Sequence, residues 1–177
     1  MSKDVFSLEN SIEKLKSGNH TDFLMPNEVE EIKYKLKKVE YDIYKPYKES
    51  DKVLLYSKNI PQVILYKINS KVELRHQDVL GSLFALGISN NTFGDIIVKD
   101  NNAYFYILPK IEKYIENYFN KIGKNDITLE KVDLELLEDY EKEFICYKVS
   151  VSSLRIDNIV KAIIKKSRNE VIDLISN

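Results

Sequence analysis

The clearest chemical pattern in this sequence lies near its C-terminus, where basic and polar residues recur at helical spacing. Asn158, Lys161 and Lys165 are three and four residues apart, so a helix places them on one face. Three more polar residues follow at a predicted turn, namely Lys166, Ser167 and Arg168. Cationic groups beside the unpaired N–H groups of a helix N-terminus are suited to binding phosphate. The same spacing is also typical of an ordinary solvated helix surface, and spacing alone leaves both interpretations open.

The distribution of charge favours a polyanion at this end of the chain. The net charge of the 177 residues is only −1. Residues 126–143 carry eight acidic residues and two lysines, whereas residues 148–177 carry six basic and three acidic ones. The two segments therefore have net charges of −6 and +3, and this asymmetry tells more than the total.

Signals for an enzyme or a metal site are weak. The sequence has two histidines and one cysteine, so neither an internal disulfide nor a cysteine-based zinc site can form. It contains no phosphate-binding glycine loop and no Gly-x-Ser-x-Gly motif. We therefore expect a non-catalytic protein with no catalytic residues, metal or cofactor. Cys146 alternates with large apolar residues, which predicts a buried strand thiol.

Neither a membrane-spanning segment nor a signal-peptide core is visible in the sequence. No apolar run approaches the roughly 20 residues that a membrane helix needs. The N-terminus lacks the apolar core of a secretory signal. We therefore expect a cytoplasmic protein with no membrane partner and no small-molecule substrate.

Two amphipathic helices are predicted at the N-terminus. One apolar stripe runs from Val5 to Leu15 and ends before Gly18. A second runs from Val29 to Val39, and Asn27 with Glu30 has the spacing of a capping box. The simplest arrangement is a helical hairpin over residues 1–50, with a boundary near Tyr44–Tyr47.

The centre of the chain predicts an α+β domain. Residues 53–57 and 62–68 suggest a hairpin, and residues 95–99 and 103–108 suggest another across Asp100-Asn101-Asn102. Helices are predicted from Gln77 to Leu86 and from Pro109 to Gly123, and further strands at 127–132 and 144–151. This order contains a split βαβ, ferredoxin-like (RRM-like) sheet, which we assign to residues 51–151.

In the predicted strand 103–108, Phe105 and Ile107 face one way and Tyr104 and Tyr106 the other. Exposed tyrosines could stack on nucleobases, whereas a covering layer would bury them. A helix pair then occupies residues 152–177, with Ser153 as the first cap and Ser167 with Glu170 as a capping box.

The C-terminal pair resembles the start of the S-four RNA-binding domain. Ser153-Leu154-Arg155-Ile156-Asp157, then Ser167-Arg168 and Leu174-Ile175, follow the order of that domain's opening. That domain continues with a glycine before a Val-x-Val-Asn strand segment, which the sequence to Asn177 does not contain. We expect a chain truncated within the domain, and a natural chain that lacks the second half of the domain is the alternative. The resemblance implies that Arg155 joins Asn158, Lys161, Lys165, Lys166, Ser167 and Arg168 in binding RNA.

The centre resembles the YlmH-type family. His76-Gln77-Asp78-Val79-Leu80-Gly81, Leu86-Gly87-Ile88 and Gly94-Asp95-Ile96 match its central signature, and Phe23-Leu24 with Pro26 and Glu28 match its N-terminal motif. Asn90 stands where relatives are expected to have arginine. His76, Asp78, Gly94 and Asp95 are candidates for a second RNA site or for a structural role. Gly87 and Gly94 suit a positive φ, and Gly81 with Ala85 suits close packing against the sheet.

The resemblance implies binding to structured RNA, with ribosomal RNA of the large subunit and tRNA as expected partners. It also implies a role in ribosome-associated quality control or rescue of stalled translation, and the family carries a cell-division label as well. Two alternatives stay open. One is a protein-interaction adaptor that uses the acidic residues 126–143, and the other is an RNA-modifying enzyme.

Overall fold

A five-stranded antiparallel sheet forms the centre of the first of two compact units. The computed structural model describes residues 3–36, 39–142, 146 and 148–176. The described helices are α1 (Lys3–Lys16), α2 (Pro26–Lys35), α3 (His76–Ala85), α4 (Glu112–Tyr118), α5 (Ile156–Ile164) and α6 (Arg168–Ser176). The described strands are β1 (Asp42–Tyr44), β2 (Leu54–Tyr56), β3 (Ile64–Ser70), β4 (Phe93–Lys99), β5 (Asn102–Ile107), β6 (Lys121–Ile122) and β7 (Asn125–Val132). The chain divides into two compact units, residues 1–141 and 142–177.

The sheet order confirms the predicted α+β, ferredoxin-like topology. The strands lie in the order β4-β5-β3-β7-β6, and each neighbouring pair is antiparallel. Because β5 lies between β3 and β4, the unit β3-α3-β4 is a split βαβ. Strand β6 is an addition that pairs with β7 at one edge. The predicted domain bounds, at residues 1–50, 51–151 and 152–177, stay a prediction.

The β4–β5 hairpin is confirmed at its predicted place. Its two turn residues, Asp100 and Asn101, have φ values of 50° and 60°. Two consecutive positive φ values define the turn whose twist matches that of paired strands, and Asp and Asn tolerate this conformation better than other non-glycine residues.

The two faces of β5 belong to two different apolar clusters, as the alternation in its sequence predicts. Phe105 and Ile107 pack in the cluster that includes residues of α3 and α4. Tyr104 and Tyr106 pack in a second cluster with Phe23, among other residues. Both tyrosines are buried, so the sheet offers neither of them for base stacking.

The predicted hairpin between residues 53–57 and 62–68 is wrong. β2 pairs with β1 in a separate two-stranded sheet, whereas β3 pairs with β5 and β7. The strand propensity of both segments was correctly predicted, but propensity does not choose the partner of a strand. Burial chooses it here, because Leu54 and Leu55 are fully buried on opposite sides of β2, in different clusters.

Two other predicted elements end differently. The helix after Pro109 stops at Tyr118, and Ile122 belongs to β6, with Gly123 (φ 60°) in the turn that follows. The apolar spacing of Ile122 fits both periods, so helical periodicity alone misassigned it.

Within the predicted strand 144–151, the described residues form no strand, and the others lie outside the described residues. Cys146 is exposed, so its predicted burial is wrong.

Within the first unit, helices α1 and α2 pack against β2 through a third apolar cluster, which includes Leu15, Ile32 and Leu55. The predicted start of α2 is two residues late. Met25 is the N-cap, and its backbone N–H donates to Glu28 Oε2 at 2.7 Å. Pro26 occupies the first helical turn, where its missing N–H costs nothing, and this places the helix start before Asn27.

Glycines 81 and 94 have structural roles different from those predicted. Gly81 and Ala85 are both exposed, so they form no packing strip against the sheet. Gly87 does have a positive φ (75°), but Gly94 does not. Gly94 is buried where the β4–β5 register shifts between Phe93 and Ile96, and a Cβ there would lie 2.9 Å from Phe23 Cε1. Close approach of an aromatic ring is therefore what requires glycine at this position.

Candidate nucleic-acid interface

Helix α5 positions the polar residues of the C-terminal unit. Arg155 is its N-cap residue, in extended conformation, and the Arg155 Nε donates to Asp157 Oδ1 at 3.0 Å. Asp157 lies in the first turn, where the helix dipole favours a carboxylate, and it is only 6% exposed. Ser153 is not the cap that the sequence suggested, since its Oγ instead accepts from Asn158 Nδ2 at 2.7 Å.

Three of the predicted RNA-binding residues line one cleft. Asn158, Lys161 and Lys165 border a cavity of about 340 Å³, which is at the small end of the range for ligand pockets. Ser150 and Ser152 lie on the same cleft and bring hydroxyl groups to it. Among the described residues, neither Lys161 nor Lys165 forms an ion pair, so both ammonium groups have their donors available.

The turn into α6 is fixed by a reciprocal cap, as predicted. Ser167 N and Oγ both donate to Glu170 Oε2, at 2.9 and 2.7 Å, and Glu170 N approaches Ser167 Oγ at 3.4 Å. These hydrogen bonds lower the pKa of Glu170. Lys166 is exposed at this turn, and the side chain of Arg168 lies outside the described residues. The cap therefore fixes the backbone at Ser167, between the two basic residues Lys166 and Arg168.

The central candidates His76 and Asp78 lie at the start of α3. Arg75 is the N-cap, and its backbone N–H donates to Asp78 Oδ2 at 2.9 Å. The Arg75 guanidinium also pairs with Asp78 Oδ1 at 2.9 Å. Hydrogen bonds from Arg75 lower the pKa of Asp78. These contacts explain Asp78 as a helix cap, while His76 is exposed beside it.

Asp95 organises the segment from Tyr47 to Lys52 beside β4. Its Oδ2 accepts from Tyr47 OH (2.9 Å), Ser50 Oγ (3.1 Å) and the Asp51 N–H (2.7 Å). Its Oδ1 accepts from the Lys52 N–H at 3.2 Å. Burial, and then the charge of Asp95, raise the pKa of Tyr47 far above its usual range. A carboxylate with four donors is engaged in structure and not displayed for a ligand.

Lys52 connects this network to the first residue of β4. Its Nζ donates to Asn90 O (2.7 Å), Asn90 Oδ1 (2.8 Å) and Phe93 O (3.0 Å), and it lies 4.0 Å from the Phe93 ring centroid. Three oxygen acceptors match the three N–H bonds of an ammonium group. Asn90, where relatives were expected to have arginine, therefore contributes acceptors to a buried lysine.

The described part of the chain holds no group of three His, Cys, Asp or Glu side chains arranged to bind a metal ion. Within that same part, no helix is both long enough and apolar enough to cross a membrane. Ser150 and Ser152 were not predicted from the sequence as site residues, because residues 144–151 were assigned to a strand.

A family model matches the sheet region of the chain. Residues 62–136 match the family described as "Putative RNA-binding domain in YlmH". This range runs from just before β3 to the turn after β7, and it excludes α5 and α6.

Similar proteins include a curated relative and a solved structure. The relative is "Ribosome-associated protein quality control protein P2" of Bacillus subtilis (strain 168), which is 26% identical over 106 residues. That alignment covers 60% of this chain and 41% of the relative, so the chain spans about two fifths of the relative's length. The structure is "Cell division protein ylmH from Streptococcus pneumoniae", with a TM-score of 0.62 and 19% identity. It covers 78% of this chain and 96% of that chain, a likeness that shows the shared fold.

Proposed function

We propose that this chain is a YlmH-type, non-catalytic RNA-binding protein that acts on the ribosome, and the family model and the curated relative support this proposal. The observation that carries the proposal is the cleft of α5, where Lys161 and Lys165 meet Asn158 and two serines. Ammonium, amide and hydroxyl groups around one cavity provide donors for phosphate oxygens.

The electrostatics of the C-terminal unit support RNA as the partner. Residues 148–177 have a net charge of +3, and the lysines of the cleft have no competing carboxylate among the described residues. Each phosphate that such lysines neutralise releases a counterion, which favours binding at low salt. Arg155, Lys166, Ser167 and Arg168 would extend the contact along the backbone of the RNA.

We also propose a finer role for the chain. The name of the relative supports a role in quality control on the ribosome. We infer that the RNA is structured ribosomal RNA of the large subunit, with tRNA nearby, and that the process is quality control or rescue of stalled translation. His76, Asp78, Gly94 and Asp95 are then best assigned a structural role, because the described contacts of Asp78 and Asp95 fix a helix start and a loop. The protein would act in the cytoplasm.

Sedimentation of the full chain with ribosomes tests the proposal. The test variant is Lys161→Gln/Lys165→Gln, measured at several salt concentrations against the wild type. We expect weaker binding and a salt dependence whose logarithmic slope is smaller by about two, one for each lost phosphate contact.

The matched control is Lys33→Gln/Lys35→Gln, which removes the same charge from α2. Those lysines already pair with Glu30 and Glu31, at 2.6 and 3.2 Å. Equal losses in both double variants would reduce the effect to net charge and contradict the assignment of the cleft. Absence of wild-type binding to ribosomes would refute the ribosomal role itself.

Ribonuclease treatment distinguishes the adaptor alternative. The acidic residues 126–143 are partly engaged within the first unit, since Asp126 lies 3.6 Å from Lys121 Nζ and Glu141 pairs with Lys48. A partner that binds this segment would stay bound after the RNA is digested, and it would not respond to the loss of Lys161 and Lys165.

A further inference from the structure

A second cleft lies in the first unit, outside every residue proposed so far for RNA binding. It has a volume of about 510 Å³, within the range of small-ligand pockets. Residues from three distant stretches line it: the end of α1 with the segment after it, the loop between β2 and β3, and the turn after β5. We call it the Asp22 cleft.

Asp22 forms ion pairs with two lysines at this cleft. Lys14 Nζ lies 2.9 Å and Lys110 Nζ 2.7 Å from the same oxygen, Asp22 Oδ1. Burial raises the pKa of Asp22, but hydrogen bonds and charges from Lys110 and Lys14 outweigh it, so the pKa lies below its usual value. Two cations share one anion, which leaves one positive charge uncompensated and several N–H donors available.

The other lining groups suit the edges and faces of a base. Asn59 and Gln62 bring amides, which can both donate and accept hydrogen bonds. His20 Nδ1 donates to the Thr21 carbonyl oxygen at 2.8 Å, which leaves Nε2 as the second ring nitrogen. Ile60, which is 67% exposed, and Pro109 provide apolar surface. A site with a cationic end, amide edges and apolar surface matches the phosphate, edge and face of one nucleotide.

The walls of the cleft are fixed by backbone hydrogen bonds. The Gly18 carbonyl oxygen accepts from the N–H groups of Lys58 (3.3 Å) and Asn59 (3.2 Å), which ties the β2–β3 loop to the end of α1. Thr21 is fully buried, and its N–H donates to the Leu55 carbonyl oxygen at 2.8 Å. A preformed site loses less conformational entropy on binding than one that must be ordered by its ligand.

We propose that the Asp22 cleft binds one unpaired nucleotide of an RNA, with its phosphate on Lys14 and Lys110 and its base against Ile60 and Asn59. The inference rests on the proposed function in so far as RNA is the partner. A duplex keeps its bases stacked inside, whereas a loop or bulge can place one base in a pocket. The cleft would therefore add a preference for unpaired RNA to the backbone contacts of α5.

Fluorescence anisotropy with the full chain tests this proposal. The probes are a dye-labelled stem-loop RNA and a blunt duplex with the sequence of the same stem. Lys14→Gln/Lys110→Gln is expected to weaken binding of the stem-loop about tenfold, as the loss of a charge-assisted contact does, and to leave the duplex unchanged. Because that variant removes both ion-pair partners of Asp22, thermal unfolding is measured alongside.

Asn59→Ala/Ile60→Ala provides a second variant with little risk to the fold, since both residues are exposed on a loop. It too should lower stem-loop affinity selectively, and the proposal stands if it does. Equal losses on stem-loop and duplex, or wild-type affinity in this variant, would overturn it. Adenosine monophosphate that competes as tightly as the stem-loop would assign the cleft to a free nucleotide and overturn the RNA proposal.

Lys161→Gln/Lys165→Gln, run in the same assay, separates the two proposals. If this variant loses affinity for both probes while the variants of the Asp22 cleft lose it for the stem-loop alone, both proposals hold. If it binds like wild type and the Asp22-cleft variants do not, the α5 site fails and the Asp22 cleft stands. If the wild-type chain binds neither probe, both proposals fail.

Discussion

Gly94→Ala is expected to destabilise the first unit through a single added methyl group. A Cβ at this position would lie 2.9 Å from Phe23 Cε1, 3.0 Å from Phe23 Cζ and 3.0 Å from Tyr106 Cβ. Phe23 is 1% exposed and Tyr106 is fully buried, so neither ring can turn outward without opening the cluster. Overpacking of this kind costs about 1–3 kcal/mol.

Part of that cost is recovered from the unfolded chain. Replacing glycine by alanine lowers the entropy of the unfolded state, which contributes about 0.5–1 kcal/mol in the opposite direction. The net expectation is a loss of about 1–2 kcal/mol in the free energy of unfolding. Gly81→Ala is the matched control, because nothing lies within 4 Å of its added Cβ in α3. There the same substitution should stabilise the protein by about 0.5–1 kcal/mol.

Urea denaturation of both variants, followed by far-UV circular dichroism and tyrosine fluorescence, measures the two effects. The midpoint should fall for Gly94→Ala and rise for Gly81→Ala, with unchanged slopes of free energy against urea. The reasoning is refuted if Gly94→Ala is as stable as Gly81→Ala. It is refuted equally if the shift appears only in a transition that belongs to residues 142–177.

Three further outcomes follow from the networks described above. Burial lowers the pKa of Lys52 from 10.5 to about 8, so above pH 8 the unfolded chain holds this proton more than the folded protein does. The free energy of unfolding should therefore rise between pH 8 and 9.5 in the wild type but not in Lys52→Met, which denaturation at each pH measures. Asp95→Ala leaves four donors without their acceptor and should cost about 1–3 kcal/mol or more, read from the urea midpoint, whereas a cost below 0.5 kcal/mol would contradict the network. Ser167→Ala removes the cap of α6 and should cost about 1 kcal/mol, seen as faster amide exchange at Val171, with Ser152→Ala as a control outside the cap.

Local signals in the sequence predicted the elements well, but not all of their partners. Asp100-Asn101 determines the β4–β5 turn by itself, because these residues tolerate positive φ. The partner of β2 depends on burial of Leu54 and Leu55, which only the assembled fold decides. Gly94 shows the same limit. The sequence predicted a positive φ at Gly94, but glycine is required there by the ring of Phe23, which lies 71 positions earlier in the chain.

The two candidate sites also differ in whether their residues are close together in the sequence. Asn158 and Lys161 lie in α5 and Lys165 is its C-cap residue, so their spacing along the chain already predicted that they would lie close together. Lys14, Asp22 and Lys110 come from distant segments, and no periodicity connects them. The C-terminal cleft could therefore be found from sequence, whereas the Asp22 cleft required tertiary structure.

The network around Lys52 also bears on self-association. Strand β4 lies at the edge of the five-stranded sheet, where unpaired backbone groups could recruit a strand of another molecule. At its start, the Phe93 carbonyl oxygen is occupied by Lys52 Nζ, and the register shift at Gly94–Asp95 interrupts the regular ladder. A lysine and a bulge are devices by which natural sheets block edge-to-edge aggregation. Lys52 therefore hinders the pairing of another strand with the start of β4, in addition to anchoring its loop.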